Sequence, residues 1–128
     1  MKARFLFNTS AIVEILTGCA LLVVPALVIR LMLGSDLDQV GFAVARILGA
    51  ALLALGIAAW EVPRQALRLT TRVGICVFNI GAAALLVVFA VVGGLGGVLL
   101  WPIALFHGVL AAAMVWAMLS ASRDVATQ

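Results

Sequence analysis

Four residues able to do chemistry lie within stretches that are otherwise apolar: Glu14, Arg46, Asn79 and His107. A carboxyl group and an imidazole can pass protons, a guanidinium can pair with the carboxylate, and an amide can both donate and accept. An ionisable group at membrane depth costs about 2.5–3.5 kcal/mol on insertion scales, so each must have a partner or a role. Either they form a structural Glu14–Arg46–His107 network, or Glu14 is free to exchange protons. The bland accounts stand beside these. Glu14 near the start of its helix favours the dipole, Arg46 snorkels to the surface, and Asn79 bonds a neighbouring helix. His107 is the single histidine and has no ligand-spaced companion, so no metal site is expected. Cys19 and Cys76 form no CxxC pair, which argues against dithiol redox chemistry and leaves them as small apolar side chains. No cofactor is called for, and the chain reads as non-catalytic by itself.

The elements that must position these residues follow from composition. Of 128 residues, 66% are hydrophobic and 10% charged, and the mean hydropathy is +1.32. A water-soluble surface cannot be covered with so few polar groups. The expectation is an all-α integral membrane protein in contact with the lipid bilayer, one domain over residues 1–128. Apolar runs at about 5–33, 37–60, 73–92 and 98–119 each suffice to cross a ~30 Å hydrocarbon core. Backbone polar groups in lipid need helices or closed barrels, and no alternating barrel pattern occurs. A four-helix up-and-down bundle is predicted. Gly34 reads as the C-terminal cap of the first helix, and Ser35 and Asp36 as the lead into the second.

Basic residues set the expected orientation. Lys2, Arg4, Arg64, Arg68, Arg72 and Arg123 gather on one side, whereas the other carries Arg30, Asp36, Asp38 and the uncharged "GGLGG" at 93–97. Positive charge collects in the cytoplasm, so both termini are expected there. Trp60 and Trp116 then fall at the cytoplasmic interface and Trp101 at the opposite one. The net charge of +3 thus has a use in topology, and no nucleic-acid partner is implied. Arg64, Arg68 and Arg72, spaced four apart, form one stripe if helical and are expected to contact lipid headgroups.

"LTGC", ending at Cys19, looks like a lipoprotein modification box, with "MKAR" as a basic leader. Glu14 falls in what would be an uncharged leader core, and the chain stays apolar through "ALLVVPALVI". The segment is therefore expected to be retained as the first helix, weakened or kinked at Pro25. Pro102 sits in the first turn of the fourth, where proline is harmless. Gly49 and Gly56, and likewise Gly74 and Gly81, lie two turns apart, and each pair is expected to make a smooth stripe for helix packing within the bundle or between copies. With a rise of 1.5 Å per residue, Glu14 lies ~13 Å from the cytoplasmic edge, Asn79 ~9 Å, His107 ~17 Å and Arg46 ~20 Å. The four are expected to converge on one polar cluster.

"VARILGAALLALGIAAW", with Arg46, Gly49 and Gly56, resembles the arginine-then-glycine pattern of the DoxX-like family of small four-helix bacterial membrane proteins, and the runs around Glu14 and "LLWPIALFHGVL" resemble relatives of that family. That resemblance covers most of the chain. It implies a protein of the bacterial inner membrane acting as an accessory subunit, in some members linked to thiosulfate or quinone oxidoreduction. The expected role is a partner subunit, or a binder of a lipophilic molecule such as a lipid or quinone, with self-association open. "AIVEILTG" around Glu14 is also similar to the small multidrug resistance family, whose helix-one glutamate exchanges protons for a cationic drug. It implies a dimeric proton-coupled transporter, although this chain has no tyrosine to build a cation site.

Overall fold

The computed structural model describes the backbone of residues 3–60 and 68–126, with side chains through Ser120. Its elements are α1 (Ala3–Val23), α2 (Pro25–Leu33), α3 (Gln39–Ala59), α4 (Leu69–Val91) and α5 (Leu100–Ala126). Four of them, all but α2, are long and apolar enough to cross a membrane. Most of their large side chains face outward: Val92, Val23, Trp116 and Ile47 are each at least 70% exposed. Such a surface is stable against hydrocarbon, where the hydrophobic effect no longer drives helices together.

What joins α1 to α3 is close backbone approach. A Cβ added to Gly18 would lie 2.7 Å from the Gly49 carbonyl oxygen, and one on Gly56 would lie 2.8 Å from that of Ala11. Gly18 meets Gly49 and Ala11 meets Gly56, so the two helices run antiparallel. The stripe at Gly49 and Gly56 is thus buried inside the chain. Gly74 and Gly81 differ, because a Cβ on either meets nothing within 4 Å. Their identical spacing builds no close contact here. α4 packs instead on α5 through side chains, and α1 touches α5 to unite the two hairpins.

The first apolar run is two helices, not one. Pro25 has no N–H to continue the ladder, and its ring crowds the carbonyl four residues back. Val24 adopts φ −131° and ψ 54°, and Pro25 opens α2 at its first turn. α2 ends at Gly34, whose φ of +72° suits glycine, with its N–H donating to the Arg30 carbonyl at 3.0 Å. The Leu31 and Leu33 carbonyls accept from Leu99 and Gly96 N–H at 2.9 and 3.2 Å. The glycine-rich loop before α5 therefore caps α2, and Gly97 packs so tightly on Leu31 and Met32 that no side chain fits there. α3 is capped by Asp38, whose carboxylate accepts from Gly41 N–H at 2.6 Å, rather than by Ser35 or Asp36.

Of the arginine stripe, Arg64 lies outside the described residues. Arg68 is exposed at the N-cap of α4, and Arg72 lies in its first turns with its guanidinium carbon 5.6 Å from the Phe7 ring centre. Trp60, Trp101 and Trp116 are all exposed.

Two apolar clusters fill the interior. One gathers Phe7, Ala11, Ala59, Ile75, Cys76, Leu110 and Met114, and the other Leu21, Ala45 and Leu52 with Ile29 and Phe78 beside them.

Candidate functional site

Between those clusters lies a chain of polar side chains on α1, α4 and α5. Asn79 is fully buried and stands at its centre. Its Nδ2 donates to Ser10 Oγ at 3.0 Å and to the Ile75 carbonyl, one turn back on α4, at 2.9 Å. Both amide protons are so engaged, which orients Oδ1 toward His107 Nδ1 at 2.8 Å. An amide oxygen only accepts, so Nδ1 must carry the proton, and in a neutral ring Nε2 is left as an acceptor. Phe78 and Phe106 meet the imidazole edge-on, with centroids 5.8 and 5.7 Å away. No described residue bonds Nε2.

At the other end, the Ser10 hydroxyl lies beside the side chain of Glu14, one turn on along α1. Having accepted from Asn79, it has its proton free for the carboxylate. Glu14 is only 2% exposed, and its Oε1 is buried without a hydrogen-bond partner. An unpaired polar atom in such surroundings costs about 1–3 kcal/mol, so a native structure that keeps one asks for an account.

Arg46 does not supply it. The buried stripe of α3 is Ala45, Gly49, Leu52, Gly56 and Ala59. At about 100° per residue, Arg46 lies roughly 100° round from Ala45 on one flank, and Leu48 roughly 60° round on the other. Arg46 is exposed there. Of the four residues singled out, Asn79 and His107 meet directly, Glu14 joins through Ser10, and Arg46 stays outside. Arg46→Gln is accordingly expected to leave stability within about 0.5 kcal/mol of wild type, as for other surface changes. Thermal unfolding in detergent measures this, and a loss above ~1 kcal/mol would restore an ion pair with Glu14.

Glu14 and His107 both line a cavity of about 410 Å³ between the two hairpins. α1 adds Thr17 and Leu21, α4 adds Phe78, Gly81 and Leu86, and α2 lays Ile29, Met32 and Leu33 across it. Glu14, Thr17 and His107 are its polar lining residues, and the rest of the wall is apolar. Leu48 of α3 and Leu85 and Phe89 of α4 also line it, yet they are 44%, 55% and 42% exposed. The cavity therefore reaches the surface between α3 and α4, on the Leu48 flank and away from Arg46. Cys19 is exposed on α1 and Cys76 buried, and neither lines the cavity. Among the described residues no group of three or more His, Cys, Asp or Glu is placed to hold a metal ion.

Ser10 and Thr17 escape a sequence reading. A helical hydroxyl can satisfy itself on its own backbone, so neither residue type marks a site. The signal available was their position on α1, one turn either side of Glu14. Compared with known proteins, the chain matches no family model, no curated protein and no solved structure.

Proposed function

We propose that this chain is a non-catalytic, multi-pass membrane protein that takes a lipophilic molecule out of the bilayer into the cavity between its hairpins. The observation that carries this reading is the cavity itself. Its volume of about 410 Å³ falls in the ~300–1,000 Å³ range of small-molecule sites, which are mostly apolar with a few placed polar groups. Its opening between α3 and α4 is framed by exposed Leu48, Leu85 and Phe89, a route for a molecule already dissolved in hydrocarbon. A lipid or a quinone has the needed chemistry. In this reading the chain resides in the bacterial cytoplasmic membrane with the Arg4, Arg68 and Arg72 end inward. It works alone, with a second copy, or as the accessory subunit that the DoxX-like resemblance implies.

Gly81→Leu tests the proposal. The new side chain projects from a cavity-lining position where a Cβ meets nothing within 4 Å, so it fills space without displacing backbone. The variant is expected to accumulate and fold as wild type does, while losing the lipophile that copurifies with the wild-type protein. Mass spectrometry of organic extracts reads the result, and an unchanged extract sinks the proposal.

A second reading, a dimeric proton-coupled transporter using Glu14, is favoured by one observation: among the described residues the carboxyl group has no arginine partner and has an unbonded oxygen. It predicts that an imposed pH gradient drives a lipophilic cation into proteoliposomes, and that Glu14→Gln abolishes this.

A further inference from the structure

We infer that the cavity selects lipophiles whose head group carries an O–H or N–H, and that the atom receiving this donor is Nε2 of His107. This rests on the reading of the cavity as a lipophile site and adds what that site recognises.

The far side of the ring fixes the state of the imidazole. Asn79 Nδ2 donates to the Ile75 carbonyl, which can only accept, so the nitrogen and oxygen of the amide are not interchangeable. Oδ1 therefore faces His107 Nδ1, and Nδ1 must hold the proton of the neutral ring. Nε2 is left with a lone pair, and no described residue bonds it. It is not sealed off either. Glu14 Oε1 is an unpartnered atom enclosed by protein, and Nε2 is not among such atoms. His107 as a whole is only 7% exposed, and the space it borders is the cavity. An unbonded nitrogen that keeps accessible surface on such a residue opens onto that space.

Phe78 and Phe106 meet the imidazole edge-on and line the same cavity, so the ring is held between its amide anchor and an apolar wall. An acceptor oriented in advance and left unmet in apolar surroundings gains most from a ligand that brings the missing donor. The other polar groups of the wall do not make this distinction. The Thr17 hydroxyl both donates and accepts, so it serves an ether as well as an alcohol. Glu14 Oε1 is closed to a ligand, and whatever charge Glu14 carries acts on the charge of a head group. Two head groups of equal charge that differ in their hydrogens therefore isolate Nε2. The tail follows the apolar wall toward Leu48, Leu85 and Phe89 at the opening.

Native mass spectrometry of the purified full chain with two pairs of ligands makes the test. The neutral pair is 1-hexadecanol and 1-methoxyhexadecane, and the cationic pair is hexadecylamine and hexadecyltrimethylammonium. In each pair the donor-bearing member is expected to bind ~5–10-fold more tightly, the effect of satisfying one buried acceptor. In His107→Phe both preferences should vanish. His107 is the single histidine, so nitrogen NMR of the labelled ring reads the same contact in wild-type protein, and a poorly folding His107→Phe does not blunt the test. Hexadecanol should move the Nε2 resonance and the methyl ether should leave it in place. Equal binding within either pair, an unmoved Nε2 resonance, or a preference that persists in His107→Phe overturns this inference and leaves the cavity reading standing. Tighter binding of the ether also overturns it, because a protonated Nε2 would then be donating. Failure of all four ligands to bind, or binding that survives Gly81→Leu, overturns the cavity reading beneath it.

Discussion

Replacing Gly49 with valine is expected to prevent α1 and α3 from docking and to be among the most damaging single changes in this protein. A Cβ at Gly49 would sit 2.9 Å from both the Gly18 carbonyl oxygen and the Leu21 Cβ, and 3.1 Å from the Leu22 nitrogen. Two of those atoms are backbone, so no rotamer change relieves the clash and the helices must separate. Overpacking ordinarily costs ~1–3 kcal/mol, and an obstruction against backbone belongs at or beyond the top of that range. Separation also forfeits the dispersion contacts that are the chief attraction between helices in lipid. The buried thiol of Cys76 supplies the measurement. In a Cys19→Ala background, Gly49→Val should let a thiol-reactive dye label Cys76 at a markedly lower temperature. Gly74→Ala is the matched control, since its Cβ meets nothing, and it should be neutral or slightly stabilising through helix propensity. Equal effects of the two substitutions would refute the assignment of the glycine contact to the α1–α3 pair.

The second large effect is expected at Asn79. Leucine there keeps the volume roughly but removes the bonds to Ser10 and His107 that tie α4 to α1 and α5. Side-chain hydrogen bonds between membrane helices average about 0.6 kcal/mol and reach about 1.7. The imidazole stranded by the change adds a buried unsatisfied group worth about 1–3 kcal/mol. A loss of about 2–4 kcal/mol is therefore expected for Asn79→Leu. A second readout separates this from a packing defect. In the wild type the amide oxygen holds the His107 proton on Nδ1, so nitrogen NMR of the labelled ring should report that tautomer. In Asn79→Leu the preference should be lost. A ring with the same tautomer in both proteins would mean that the amide does not orient it.

The residues themselves show which parts of this molecule are legible without a structure. Composition alone dictates apolar helices, because so few charged residues cannot cover a water-facing surface. Length then dictates the four candidate spans. Depth is legible too, since the helical rise is fixed. Glu14, Asn79 and His107 were placed at comparable levels by counting, and they do share one polar chain through Ser10. Pro25 announced a disturbance, as a residue with no N–H must, but not that the chain beyond it forms a separate α2 across a cavity.

What counting cannot supply is rotation about each helix axis. In a soluble bundle the apolar stripe marks the inward face. Here both faces are apolar, so counting does not show that Arg46 points to the flank opposite the cavity, and only the pairing of Gly49 with Gly18 and Leu21 sets it about two turns along from Glu14. The same blindness makes Gly49 and Gly56 indistinguishable from Gly74 and Gly81: two pairs with one spacing, of which the first meets backbone and the second open space. The sequence by itself determined a set of apolar helices and the position of each polar group along its own helix. Only the tertiary structure decided which faces meet, because in hydrocarbon the pairing rests on short-range contact and hydrogen-bond geometry rather than on the hydrophobic pattern that a sequence displays.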